Sequence, residues 1–212
     1  MGYRTDPLDD NFWISPNYRA DDWRRLNLNN VDNADWIKAV DIFYDRIYGR
    51  FLAPIEAIEN HPDENIRWFS GFTILAIDCL IIETLYQFCN GVDETDIDHQ
   101  KAFWHFFRAS TYFRPHFTRR TAYKFYTHFR CGILHQAQTK ISSKVRFAQD
   151  KMVQPVDPND LNQGLIIDRE KFHKALRDEI DDYISRLKNP QSSQDLVLRE
   201  KFKDKMAFIV RR

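Results

Sequence analysis

Apolar residues recur every three or four positions through most of this chain, which is the spacing of residues on one face of an α-helix. Between residues 33 and 59 the pattern consists of Trp36, Val40, Phe43, Ile47 and Phe51. The 212 residues include only six glycines, too few for a fold with many tight turns. The sequence therefore predicts an all-α fold, a helical bundle with one small β-hairpin or extended insertion.

Five further helices follow from the same spacing and from the residues that cap or break them. They are predicted at residues 64–89, 98–110, 118–140, 169–188 and 195–212. Asp32 or Asn33 is suited to cap the first helix, and Asp63 is suited to cap the second. Pro54 is expected to kink the first helix because it lacks a backbone N–H.

The helix at residues 64–89 is apolar over so much of its surface that we expect it to be central. One face is predicted to be buried and an adjoining stripe to widen it. The face consists of Ile66, Phe69, Thr73, Ile77, Leu80 and Thr84, and the stripe of Ile74, Ile81, Leu85 and Phe88. Asp78 and Glu83 interrupt the helix, which argues against a membrane span of about 20 largely uncharged residues.

Changes in composition divide the chain into three predicted parts. Residues 1–33 are polar without sustained periodicity and are expected to form an N-terminal arm. Residues 34–188 are predicted to form the helical domain, in which residues 141–168, with Pro155 and Pro158, form the hairpin-like insertion. Residues 189–212 are predicted to be a linker and an amphipathic C-terminal helix that serves packing or dimerisation.

Neither a targeting segment nor a cofactor motif is apparent. The N-terminal residues contain no apolar stretch that resembles a secretory signal. Cys79, Cys89 and Cys131 are odd in number and lack metal or redox spacing, so we expect reduced thiols. No glycine-rich nucleotide-binding motif occurs. A cytoplasmic protein without a cofactor is expected.

The formal net charge is zero, but the charges are segregated. Residues 101–146 contain ten Lys or Arg residues and no Asp or Glu, and we call this segment the basic strip. Such a strip attracts phosphate backbones and predicts RNA as a partner. The alternative is that acidic side chains elsewhere in the fold neutralise it.

Arg130 and His135 lie within the basic strip, separated by four residues. A histidine can take a proton from a ribose 2′-hydroxyl or give one to a departing 5′-oxygen. A guanidinium can hold the phosphate while negative charge builds on it. The pair therefore suits RNA cleavage without a metal.

Helical geometry adds a condition to this chemistry. Five residues separate Arg130 and His135 by roughly 140° around an ideal helix, so one copy directs them to adjoining faces. Two copies meeting at a symmetric interface can bring both pairs into one cleft. The spacing therefore favours a homodimer, and Gly132 between the two residues can loosen the helix locally.

The segment Phe129-Arg-Cys-Gly-Ile-Leu-His-Gln136, with Arg130 and His135, resembles the HEPN superfamily. The signature of that superfamily is Arg, four to six residues, then His, on a late helix. The resemblance implies a HEPN-like helical bundle over about residues 35–188 and a metal-independent, often dimeric endoribonuclease. It also implies a role in phage defence or a toxin–antitoxin system, with an antitoxin or defence-system partner protein. Cys131 departs from the Asn, Asp or His that commonly follows the Arg.

Several other residues are candidates for supporting roles. Cys131, Glu83 and Asp78 are expected to support the catalytic pair, with Glu83 bracing Arg130 or His135. Eleven aromatic residues between residues 103 and 129 are interleaved with basic ones, and most have core-compatible spacing. The residues predicted to contact RNA are Arg119, Arg120, Lys124, Tyr126, His128 and Lys140.

Two alternatives stand beside this interpretation. His128, Cys131 and His135 share one helix stripe and suggest a zinc site, but the histidines lie about 10 Å apart along the axis. Zinc–nitrogen bonds are about 2 Å long, which argues against a shared ion, and no metal is expected. The second alternative is a non-catalytic HEPN-type module that binds RNA, a nucleotide or a protein, which Cys131 favours.

Overall fold

Ten α-helices and three short strands make up the described part of the computed structural model, which covers residues 10–30, 34–160 and 162–211. The mainly helical class is confirmed. The helices are α1 (Ala20–Arg24), α2 (Ala34–Ile47), α3 (Ala53–Glu59), α4 (Glu64–Phe69), α5 (Gly71–Asn90), α6 (His99–Ala109), α7 (Arg119–Phe125), α8 (Cys131–Gln136), α9 (Arg169–Lys188) and α10 (Ser193–Ile209). The strands are β1 (Lys144–Arg146), β2 (Val153–Pro155) and β3 (Leu165–Asp168). The predicted caps Asp32 and Asn33 lie outside the described residues.

The chain divides into two compact units. The first comprises the described residues of Met1–Glu56, Phe88–Asp93 and Tyr183–Arg212, and the second those of Ala57–Gln87 and Glu94–Asp182. In the first unit Phe43 packs edge-on against the rings of Phe88, Tyr183 and Phe202. Phe202 belongs to α10, so the C-terminal helix buries its apolar side within its own unit. This grouping of segments differs from the predicted division at residues 33/34 and 188/189.

Phenylalanines form the core of the second unit. Phe107 stacks on Phe117 with 4.0 Å between ring centroids, and Phe125 stacks on Phe172 with 4.9 Å. Phe103, Phe107, Phe113, Phe125, Phe129 and Phe172 are all less than 2% exposed. Most aromatic residues of the basic strip therefore pack in the core, as their spacing predicted.

Two of the predicted helices contain a π-helical turn. Residues Tyr48–Leu52 form the first, in which the N–H of Ala53 bonds to the carbonyl of Tyr48. It lies directly before Pro54, so the predicted disturbance at this proline takes the form of a π-turn. Residues Tyr126–Arg130 form the second, between α7 and α8. The helix predicted to reach residue 140 ends earlier, because Ala137 has a left-handed backbone with φ of 54°.

The predicted helix at residues 64–89 is divided at Ser70. Asp63 caps α4 as predicted, accepting a hydrogen bond from the N–H of Asn65. Arg169 donates hydrogen bonds to the Ser70 hydroxyl and to the carbonyl of Arg67 at the junction of α4 and α5.

Three apolar residues of the predicted buried face are in fact exposed. Phe69 is 82% exposed, and Ile66 and Leu80 are also exposed. The adjoining stripe is confirmed, since Ile74, Ile81, Leu85 and Phe88 are buried. The spacing of apolar residues predicts two stripes on this helix but does not show which of them is buried. The tertiary packing determines that.

The insertion at residues 141–168 is a three-stranded mixed sheet with the order β1-β3-β2. β1 pairs with β3 in parallel, with Lys144 opposite Ile166, and β2 pairs with β3 antiparallel, with Pro155 opposite Leu165. The predicted insertion therefore contains an antiparallel pair, β2 with β3, but the prediction that the two apolar runs form a hairpin with each other is wrong. The two apolar runs do pair, but in parallel, and the proline-containing segment between them supplies an edge strand, where a missing N–H is tolerated.

Helix α5 is the one helix in the described part of the chain that is long and apolar enough to cross a membrane. Half of its most apolar window is buried inside the structure. Its two carboxylates have partners in the second unit, since Asp78 pairs with His173 and Glu83 with Arg130. One helix of this kind is weak evidence for a membrane span, because the core helix of a soluble protein has the same composition.

The cap of α10 gives a testable prediction. The Asp195 carboxylate, 6% exposed as a residue, accepts hydrogen bonds from Arg186 at 2.7 Å and Ser192 at 2.8 Å. The hydrogen bonds from Arg186 and Ser192 lower the pKa of Asp195 to about 2. We expect Asp195→Asn to lower the free energy of unfolding by about 1–3 kcal/mol at pH 6, measured by urea denaturation.

The pH dependence supplies the control for this prediction. Because the pKa of Asp195 in the folded state lies below its unfolded value of 3.8, its stabilisation is complete above that value. This stabilisation is lost as the pH falls from 3.8 towards about 2. The difference in the free energy of unfolding between wild type and Asp195→Asn should therefore shrink over that interval. Asp204→Asn, at an exposed position on the same helix, should show neither effect. An equal loss at pH 6 and pH 2.5 would contradict the prediction.

Candidate functional site

Arg130 is the last residue of the π-turn and directly precedes α8. After α8 the chain turns back across the start of this helix, close to Gly132. A Cβ atom at Gly132 would lie 2.6 Å from the carbonyl oxygen of Gln138. The glycine is therefore required by the close approach of the returning loop, which explains its place between Arg130 and His135.

The guanidinium of Arg130 is held by a carboxylate from α5. Its NH2 donates to Glu83 Oε2 at 3.3 Å, and the other carboxylate oxygen lies 2.6 Å from His99 Nδ1. The predicted contact between Glu83 and Arg130 is confirmed. Sequence reasoning missed His99, since nothing in its spacing links the first turn of α6 to Glu83.

Tyr126 provides the second support for Arg130. The guanidinium carbon lies 5.5 Å from the Tyr126 ring centroid, and the ring packs edge-on against Phe103. Burial and the neighbouring Cys131 raise the pKa of Tyr126 to about 12, so its hydroxyl stays protonated. Burial disfavours the charge on Arg130, but the Glu83 carboxylate favours it through its charge and its hydrogen bond, and the pKa of Arg130 is raised. Arg130 is thus a fixed cation with 21% of its side chain exposed.

His135 lies in the last turn of α8 and is exposed. No hydrogen bond or ion pair joins it to Arg130, Glu83, His99 or any other residue that the structure describes. Its neighbour Leu134 is 51% exposed, and Ile141 is 60% exposed. One chain therefore brings together Arg130, Glu83, His99, Tyr126 and Cys131 and leaves the second catalytic candidate free.

Asp78 does not support this cluster, which corrects the prediction. It is fully buried, and its Oδ1 lies 2.8 Å from His173 Nδ1. Asp78 and Glu83 are five positions apart on α5, which places them on different sides of the helix. Asp78 therefore belongs to a separate cluster.

His128 is also wrongly predicted as an RNA contact. It is 8% exposed, and its Nδ1 lies 3.0 Å from the Ser143 hydroxyl. That hydroxyl also accepts the N–H of Leu165 at the start of β3. Burial, Lys124 and Lys140 lower the pKa of His128, so the ring is neutral. His128 thus connects the π-turn to the sheet. In the described part of the chain, no group of three or more His, Cys, Asp or Glu residues is placed to hold a metal ion.

The predicted RNA-contacting cations fall into two groups. Arg119 and Arg120 are exposed, with Arg119 over the Tyr123 ring and Arg120 hydrogen-bonded to Asn162. Lys124 and Lys140 are half-buried, and Lys124 donates to the carbonyl of Gln163. Arg119 and Arg120 are the better placed of the four for contact with RNA.

Direct ion pairs do not neutralise the basic strip. Six of its Lys and Arg residues are exposed and pair with no carboxylate in the described part of the chain. They are Lys101, Arg108, Arg114, Arg119, Lys144 and Arg146. Arg130, another cation of the strip, pairs with Glu83. The alternative of neutralisation by neighbouring acids therefore applies to part of the strip only, where Asp160 acts on Lys124 and acidic residues of α9 act on Tyr112.

Glu83 and Arg130 give a prediction that does not depend on any activity. Glu83→Gln should lower the free energy of unfolding by about 1–3 kcal/mol, because it leaves the Arg130 cation without its counter-charge. In a double-mutant cycle with Arg130→Met, measured by urea denaturation, the two changes should be coupled by about 0.5–2 kcal/mol. Glu94→Gln, at an exposed position of the same unit, is the matched control. Strictly additive effects would refute the assigned ion pair.

Comparisons with known proteins add no family assignment. No family model, no curated protein and no solved structure significantly matches this chain. The resemblance to the HEPN superfamily consequently stays a prediction carried by the segment around Arg130 and His135.

Proposed function

We propose that this protein is a cytoplasmic, metal-independent endoribonuclease of the HEPN type, in which Arg130 and His135 act on the scissile phosphodiester. The observation that carries the proposal is a partly exposed Arg130 held by Glu83 and Tyr126, followed within two helical turns by a free, exposed His135. A fixed guanidinium can hold a phosphate without first being ordered. A solvent-facing imidazole can reach a substrate that approaches from outside.

In the proposed reaction the ribose 2′-oxygen attacks the adjacent phosphorus. A base, His135 or its counterpart in a second copy, removes the 2′-hydroxyl proton. The bond from phosphorus to the 5′-oxygen breaks, and an imidazolium returns a proton to that oxygen. The products are a 2′,3′-cyclic phosphate on the upstream fragment and a 5′-hydroxyl on the downstream fragment. Arg130 stabilises the negative charge of the phosphoryl oxygens in the transition state.

A second copy of the chain completes the proposed site. Within one copy Arg130 is turned to Glu83 and Tyr126, whereas His135 has no contact with either residue. Leu134, next to His135 in the sequence, and Ile141, in the segment after α8, are exposed apolar side chains that a partner would cover. The proposal therefore includes a homodimer in which each cleft takes Arg130 from one protomer and His135 from the other.

The proposal extends to the kind of system in which the protein acts. A ribonuclease of this kind acts in phage defence or in a toxin–antitoxin system, and an antitoxin or another defence-system protein is its expected partner. The exposed basic strip supports RNA as the substrate, since six of its cations are exposed and form no ion pair with the residues that the structure describes.

One specific observation favours a second candidate function, a module that binds RNA without cleaving it. Glu83 already neutralises Arg130, which reduces the charge available to a scissile phosphate. Cys131, beside it, has a thiol and not the polar side chain that is common in the superfamily. Retained RNA binding without cleavage of any RNA would support this module.

Cleavage of mixed RNAs by the purified protein in EDTA tests the favoured function. We expect His135→Ala to lose at least ~10²-fold in rate, because positioned acid–base catalysis supplies that much. Arg130→Ala should lose about 10²–10³-fold, and Arg130→Lys should recover little because Lys lacks the planar fork. A 2′-deoxyribose at the scissile position should block cleavage. His116→Ala, an exposed histidine of the same strip, is the control and should keep full activity.

Mixing the two inactive variants tests the shared site. A heterodimer of Arg130→Ala and His135→Ala retains one cleft with both wild-type residues, so activity should return on subunit exchange. No recovery in a mixture shown to contain heterodimers would refute the shared cleft. Cleavage that stops in EDTA and leaves 3′-hydroxyl ends would refute the whole mechanism.

Binding to RNA should depend steeply on salt if the basic strip contacts phosphates. Replacing Arg119 and Arg120 together by Ala should reduce the slope of log Kd against log salt by about 2, one unit for each lost phosphate contact. Fluorescence anisotropy with His135→Ala measures binding without cleavage. The pair Lys201→Ala and Lys203→Ala, on α10, should leave the slope unchanged. Equal slopes for both pairs would exclude Arg119 and Arg120 from the RNA contact.

A further inference from the structure

The second unit contains a cavity that the proposed function does not use. Its volume is about 900 Å³, within the range of sites that hold small molecules. Residues from α3, α4, α9 and the segment after β1 line it. The lining residues on which the proposal depends are Glu59, Trp68, Phe147, Arg169 and His173.

Arg169 places a guanidinium without a carboxylate partner in the wall of this cavity, 5.7 Å from the centroid of the Phe147 ring. The residue is 9% exposed, and its two terminal nitrogens donate to the Ser70 hydroxyl and the Arg67 carbonyl. No carboxylate pairs with it in the described part of the chain, and its Nε is buried without a partner. It is also the first residue of α9, where the helix dipole disfavours a cation. A buried cation in this position calls for an anion.

His173 presents a second unused polar atom. It is 4% exposed, and Asp78 Oδ1 lies 2.8 Å from its Nδ1. This contact fixes the ring so that Nε2, on the opposite edge, is buried without a partner in a residue of the cavity wall. Burial disfavours the imidazolium, but the hydrogen bond to Asp78 outweighs burial and the pKa of His173 is raised. The raised pKa favours the imidazolium, the form in which Nε2 has a proton to donate.

Two aromatic rings and five carboxylates also line the cavity, the latter being Glu59, Glu64, Glu170, Asp178 and Asp181. Trp68 packs edge-on against Phe147 with 4.6 Å between centroids, and Trp68 is 55% exposed. Large exposed rings stack well on planar bases. Glu59 also lines the cavity and forms no hydrogen bond with the described residues, so its carboxylate can accept an N–H from a base.

We propose that this cavity binds a nucleoside monophosphate, with the phosphate near Arg169 and His173 and the base against Trp68 and Phe147. The two unused donors account for an anionic group, and the aromatic pair accounts for a planar ring. Lys174 and Arg67 are engaged by Asp178 and Glu64, so neither is the main phosphate ligand. The site is separate from Arg130 and His135, and it stands whether or not the protein cleaves RNA.

Isothermal titration calorimetry of the full chain with AMP, GMP, CMP and UMP tests this proposal. At least one should bind saturably with a Kd below about 1 mM. Trp68→Ala should weaken binding about tenfold or more through the lost stacking, while Phe69→Ala, the exposed neighbour outside the cavity, should have no effect. Trp68 is exposed, so its removal leaves the fold intact. Arg130→Ala should bind as the wild type does.

A second measurement separates a contact with His173 from a structural role. In imidazole ¹⁵N NMR spectra the Nε2 signal of His173 should move on saturation with the nucleotide, and that of His116 should not. No binding at millimolar nucleotide, or equal binding by wild type and Trp68→Ala, would overturn the proposal. Inorganic phosphate that binds as tightly as the best nucleotide would also overturn it, because the base would then contribute nothing.

Discussion

Carboxylates inside a protein need partners, and the central helix α5 carries two of them. Asp78 is fully buried and pairs with His173, and Glu83 is partly buried between Arg130 and His99. Leaving either charge unpaired would cost several kcal/mol. The positions of α9, α6 and the π-turn before α8 are therefore tied to α5 by charge as well as by apolar packing.

These two pairs also organise the chemistry of the second unit. The Glu83 pair holds a guanidinium near the surface, where a phosphate can share it. The Asp78 pair fixes an imidazole in the wall of a cavity, with one nitrogen left over. Helix α5 thus supports two candidate sites. One, around Arg130, is proposed to bind RNA, and the other, the cavity beside His173, is proposed to bind a small molecule.

Local features of the sequence were sufficient for most of the helices. The periodicity of residues 169–188 gives the observed bounds of α9, and the predicted cap Asp63 begins α4. The helix predicted from residue 98 begins at His99, with Asp98 as its cap. The errors concern partners that are distant in sequence. Asp78 is 95 residues from His173, so nothing near Asp78 could reveal its role. The strand pairing failed for a related reason, since a parallel pair requires a third segment that the apolar runs do not specify.

The candidate site was predictable in part. Arg130 and His135 were predicted from their chemistry and from the resemblance to the HEPN motif. Glu83 was predicted because it is a charged residue within an apolar helix. His99 could not be found, because its contact depends on how α6 crosses α5. His128 was misjudged because its place on a basic segment gave no sign that the Ser143 hydroxyl would bury it.

The π-turn before α8 has a consequence for how such a chain can change over evolutionary time. A π-turn is one residue longer than the α-helical turn it replaces, and in it the N–H of Cys131 reaches back to the carbonyl of Tyr126. Loss of one residue here would restore an ordinary helix with its hydrogen bonds intact. It would also rotate everything upstream relative to Arg130 by about 100°. A single codon deletion would therefore turn either Phe125 away from Phe172 or Arg130 away from Glu83, so core packing on one side and an ion pair on the other fix the length of this turn.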